Sequence, residues 1–166
     1  MAFRTVTITP SIAAGTYALN DVIFNPTELK LPARGARLTS LHLVDNGKAL
    51  TDDTLTLFFF QKNTHDLGLQ NETANISVAN FRANQFIGAA MISGTTAGGG
   101  RLDNLSIRHG DTFNDPDEPN PQPLGVALNS IETGNAIYVA CAMDLVLTLN
   151  PTLAEDSLDL VFGFEY

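Results

Sequence analysis

The chain has 166 residues, 44% hydrophobic but only 16% charged, and a net charge of −9 from 9 basic and 18 acidic residues. That length fits one domain, residues 1–166, whose core needs neither disulfides nor a structural metal, and the single cysteine, Cys141, has no partner within the chain. Typical soluble domains are about 25% charged; here Thr, Asn, Ser and Gly take that place, a composition that suits a β-rich protein with uncharged polar surfaces and excludes a basic footprint for nucleic acid.

The first ten residues, MAFRTVTITP, hold one Arg and no apolar run of signal-peptide length, and no segment approaches the roughly 18 apolar residues of a membrane span. The sequence therefore predicts a protein made and kept in a cytosolic compartment, with no membrane partner. From Arg4 to Thr9, Arg4, Val6 and Ile8 alternate with threonines, the pattern of a strand with one face in a core. Pro26 and Pro32 bracket Glu28 to Leu31, which predicts a short edge strand. Residues 36–45, ARLTSLHLVD, run as a strand into the turn signal Asn46-Gly47.

Leu55 to Phe60 is the most apolar run. Phe58 and Phe60 fall on one face and Leu57 and Phe59 on the other, so a central strand is expected, covered on its second face by a loop or a neighbouring subunit. Val78 to Gln85 is the one helical pattern, limited to one or two turns by its two Asn residues. Phe86 to Ile92 returns to strand, and TTAGGG at 95–100 reads as a flexible loop. Residues 111–123, DTFNDPDEPNPQP, hold four of the eight prolines and four acids, which predicts a long exposed loop. Ala136 to Met143, continued by Leu145, Leu147 and Leu149, and Leu158 to Phe164 alternate strongly, and their polar connection predicts an antiparallel pair.

About eight short strands with at most one short helix indicate an all-β antiparallel fold, a β-sandwich or barrel. Charge is uneven along it. Residues 1–108 carry all nine Lys and Arg and eight acids, whereas residues 109–166 carry ten acids and no basic residue.

No catalytic constellation emerges. Cys141 lies in an apolar alternating strand, where a buried inert thiol is expected. His42, His65 and His109 lack the paired spacing of a jelly-roll metal enzyme, no Gly-rich loop has phosphate-cradling spacing, and Trp is absent, so a sugar-stacking platform has little to build on. The candidate ligand site is the acidic loop: Asp111, Asn114, Asp115, Asp117 and Glu118 offer oxygens for Ca²⁺, although the spacing is not that of an EF-hand and a solvated loop is the simpler reading. No other cofactor is expected.

Three stretches carry a resemblance: TSLHLVDNGKALTDDTLTLFFFQKN, then NISVANFRANQFIGAAMIS with its short helix, then AIYVACAMDLVLTLNPTLAEDSLDLVFGFEY. Their order resembles the small jelly-roll decoration, or cement, proteins of tailed-bacteriophage capsids. The resemblance spans most of residues 4–93 and 136–166; the stretch from Gly94 to Gly134 is longer and more acidic than the family pattern. It implies a jelly roll, no enzymatic activity, assembly as a homotrimer, and attachment to the major capsid protein on the outer surface of a virion assembled in the host cytoplasm. Arg4, Val6, Ile8, Phe58 and Phe60 are the candidate partner contacts, and residues 1–17 are either a clamping arm or an ordinary first strand. Two readings of other classes stand beside this one: a head-fibre or tail-associated host-recognition module, and a β-sandwich enzyme acting on polysaccharide, which would need opposed carboxylates in a groove.

Overall fold

The computed structural model describes residues 2–47, 49–50, 53–93, 127–131, 134–145 and 151–166. In chain order the elements are β1 (Phe3–Ile8), β2 (Gly15–Thr16), β3 (Val22–Lys30), β4 (Gly35–Asp45), β5 (Thr54–Phe60), α1 (Val78–Ala83), β6 (Phe86–Ser93), β7 (Ala127–Asn129), β8 (Ala136–Leu145), β9 (Thr152–Leu153) and β10 (Leu158–Glu165). The fold is all-β with antiparallel sheets. One four-stranded sheet runs β1-β10-β4-β7, a second runs β3-β8-β5-β6, and β2 pairs with β9.

The pairings are nested. β1 pairs with β10, β3 with β8, β4 with β7 and β5 with β6, so early strands find late ones in reverse order. Period-two alternation explains which faces meet, since successive side chains point to opposite sides of a strand. Leu38, Leu41, Leu43, Phe162 and Phe164 from the first sheet share one buried cluster with Leu29, Leu57, Phe59, Val139 and Cys141 from the second. The rings of Phe59 and Phe162 meet edge-on at 6.3 Å and tie the two sheets together.

β5 is central, between β8 and β6, and every one of its residues is buried. Its second face, with Phe58 and Phe60, belongs to a smaller cluster with Val22, Leu67, Ala140 and Ala142 on the other side of that sheet.

Several expectations are corrected. β8 and β10 do not form a pair: β8 lies between β3 and β5 and β10 between β1 and β4, because alternation fixes a strand's faces but not its neighbour. The expected strand at Glu28 to Leu31 is the end of a nine-residue edge strand. Pro26 is accommodated where the β3–β8 register shifts, between Phe24 and Thr27, so no ladder donor is needed at that position. The helix stops at Ala83, two residues short of Gln85, whose φ of 55° lies in the left-handed region. Leu147 and Leu149 lie outside the described residues.

Acidic side chains hold the turns by accepting from backbone donors. Asp45, buried at the end of β4, takes Gly47 N on Oδ1 at 2.9 Å, and Ala49 N and Leu50 N on Oδ2 at 2.6 and 2.7 Å. Asp156 accepts from Ile12 N and Asp21 from Ala18 N. Asp159 accepts from the Thr9 hydroxyl and the Asn46 amide. The Lys30–Glu28 ion pair, at 3.5 Å, is exposed and contributes little.

Candidate interaction surface

Segment 61–77 and α1 lie over the outer face of the second sheet, and side-chain amides hold them there. Asn84, fully buried, accepts from Thr64 N and His65 N at 2.9 and 2.8 Å and donates to His65 O at 2.7 Å. Asn25 of β3 accepts from Leu67 N and donates to Gly68 O, both at 2.8 Å. Ser77 caps α1, its hydroxyl accepting from Asn80 N at 3.1 Å. A helix of six residues has too few internal bonds to stand alone, so these anchors and the ring of Phe81 fix it. Phe81 lies 5.3 Å from Phe58 and 5.2 Å from Phe60, edge-on to both, and 4.9 Å from Phe86.

That arrangement corrects the assignment of Phe58 and Phe60 to a partner interface. They are 8% and 0% exposed, because α1 and the segment before it cover them within the same chain. What remains outside is a depression of about 400 Å³ lined by Ile76, Ser77, Val78, Phe81, Arg82, Gln85 and Phe86. Ile76, Val78 and Phe86 are 47%, 68% and 43% exposed, and Arg82 is the charged residue of the lining. Such a surface offers apolar contact beside one guanidinium, which is the chemistry of association.

The other candidates are dispersed. Arg4, Val6 and Ile8 lie on β1, which pairs with β10 of its own chain; Val6 and Ile8 pack partly buried against the main core and Arg4 is exposed. His42 is exposed on β4 and His65 is exposed in the segment after β5. Cys141 is buried, and that burial pushes its thiol far above the usual range, so it stays protonated. Tyr17 is also raised, first by burial and then by the nearby charge of Asp21, while its hydroxyl donates to Ala13 O at 2.7 Å. Asp111, Asn114, Asp115, Asp117, Glu118 and His109 lie outside the described residues. Among the described residues no three His, Cys, Asp or Glu side chains gather as metal ligands, and no helix is long and apolar enough to cross a membrane.

Sequence reasoning passed over Asn84, Asn25, Ile76 and Val78. Of these, Val78 and Asn84 stood only within the expected helix, as its first residue and as one of the two Asn residues that shorten it. No family model, curated protein or solved structure matches this chain.

Proposed function

We propose that this chain is a jelly-roll structural protein of a bacteriophage virion that decorates the outer face of the capsid and bridges neighbouring subunits of the shell. The observation that carries the reading is the nested pairing. A jelly roll is a double ribbon wound on itself, in which the first strand pairs with the last and the middle strands pair with each other; leaving aside the two-residue β2 and β9, the pairs β1·β10, β3·β8, β4·β7 and β5·β6 follow that rule. The stretches that carry the resemblance coincide with β4–β5, with α1–β6 and with β8–β10. Fold does not fix function, so the attachment to a shell rests on that resemblance together with an exposed apolar depression suited to a protein surface.

The test is to mix the purified protein with undecorated capsids and measure co-sedimentation and the temperature of shell rupture. Bound protein in hundreds of copies and a higher rupture temperature support the reading, and a handful of copies per virion points to a fibre or tail piece instead. No co-sedimentation refutes it. The ten acids of residues 109–166 add an expectation that binding weakens with salt, as exposed charge pairs do.

A further inference from the structure

Among the described residues the two four-stranded sheets end in four edge strands, and three of them carry a device that discourages pairing with another chain. β7 is three residues long among the described residues. β3 contains Pro26, Glu28 and Lys30 and shifts register twice against β8; at its start, segment 70–74 closes on it, with Val22 N donating to Glu72 O and Asn71 N to Val22 O. β1 is six residues with a charge, Arg4, at its second position. β6 has none of these. Its eight residues, FIGAAMIS, include no charge and no proline, and among the described residues it pairs with β5 alone.

We propose that the edge of β6 with no neighbouring strand among the described residues pairs antiparallel with β6 of a second copy of this chain, about a twofold axis at Ala90. The strand itself selects that occupant. Phe59 faces Gly88 and Phe60 faces Phe86, so Ile87 is the extra residue of a bulge and the regular strand starts at Gly88. Ala90 and Ile92 face the main core and Ala89 the opposite cluster. Directly opposed residues of an antiparallel pair share a face, so only registers that match inner positions to inner positions keep both cores intact. With Ala90 opposite its own copy, Gly88 meets Ile92 and Ala89 meets Met91. Each bulky side chain then faces a small one, which lets the rows interdigitate.

Charge points the same way. Copies of a chain of net charge −9 repel over most of their surface, and an uncharged edge brings no like charges face to face. The contact is isologous and closes at two copies. It is distinct from the threefold assembly that the resemblance implies, and it does not rest on attachment to a shell.

The experiment is sedimentation velocity on the full chain across a concentration series, with hydrogen exchange of those 88–92 amides that point away from β5. A reversible two-copy species is expected, with slower exchange of these amides as concentration rises. Ala89→Lys, on the outer side of the strand, should weaken association at least about tenfold; Met91→Lys serves the same purpose if the first variant fails to fold. The double variant Ala89→Lys, Met91→Glu should restore association, because each introduced lysine then opposes an introduced glutamate. A single-copy species at every concentration overturns the proposal, and so does a trimer that neither substitution affects. Protection in a monomer, independent of concentration, of the amides that point away from β5 also overturns it, since the chain would then be covering its own edge.

Discussion

Truncating Phe81 to alanine tests whether α1 is what closes the second face of β5. Complete burial makes a Phe→Ala change cost about 3–5 kcal/mol. Phe81 is partly buried, which lowers the burial contribution, but its ring touches three others at 4.9 to 5.3 Å, and such contacts add about 0.5–1.5 kcal/mol each beyond area. Because those contributions overlap, we expect a loss of about 3 kcal/mol for Phe81→Ala. Phe81→Leu keeps most of the apolar area and loses the edge-on geometry, so about 1–1.5 kcal/mol is expected. Urea denaturation followed by circular dichroism measures both, provided that the slope with denaturant stays constant. Phe81→Ala should also bind an apolar dye in the folded state, since Phe58 and Phe60 lose their cover. A loss under about 1 kcal/mol without dye binding would refute the reasoning, because the face would then be closed by something other than α1.

Three further outcomes are expected. Phe162→Ala, which removes the ring that bridges the sheets, should cost about 3–5 kcal/mol in the same assay. Asp45→Ala leaves three backbone donors without their acceptor and should cost about 2–4 kcal/mol; Asp45→Asn should cost less, because its one oxygen can still accept from Ala49 N and Leu50 N while its amide turns a donor toward Gly47 N alone. Cys141 gives a pH dependence with a defined sign: below about pH 8.5 the thiol is protonated folded and unfolded and adds no slope. Above it, the unfolded chain releases the proton while the buried thiol does not, so stability falls as pH rises. Cys141→Ala should flatten the fall between about pH 8.5 and 9.5, before tyrosines titrate; an unchanged slope would contradict the raised thiol.

Strands were legible because each residue of an alternating run reports its own face: Ile137, Val139, Cys141 and Met143 enter the main core as their spacing predicts. Partners were not legible. The same alternation suits β8 whether it pairs with β10 or with β3 and β5, and only the closing of two sheets over one core decides. Pro26 was misread for a similar reason, since a bulge removes the need for a donor that proline lacks. The two-sided apolar character of β5 was plain, whereas its cover depends on Asn84 and Asn25 gripping backbone groups of residues 64–68. Sequence spacing carries no mark of such long-range amide contacts. The depression beside α1 was missed because Ile76 and Val78 are single apolar residues in a polar stretch, and only their convergence with Phe86 makes a surface.

The pairing of β1 with β10 bears on the order in which the fold can be acquired. β10 stands between β1 and β4, so both early strands lack their main neighbour until β10 has been synthesised. Contacts so distant along the chain carry a loop-closure cost before they return any stability, which places the protein among the slow, high-contact-order folders. A nascent chain that has emerged only as far as β6 can already form the β5–β6 hairpin. The first sheet, by contrast, waits for β10 to emerge, and during that interval its apolar strands are open to capture by chaperones or by one another.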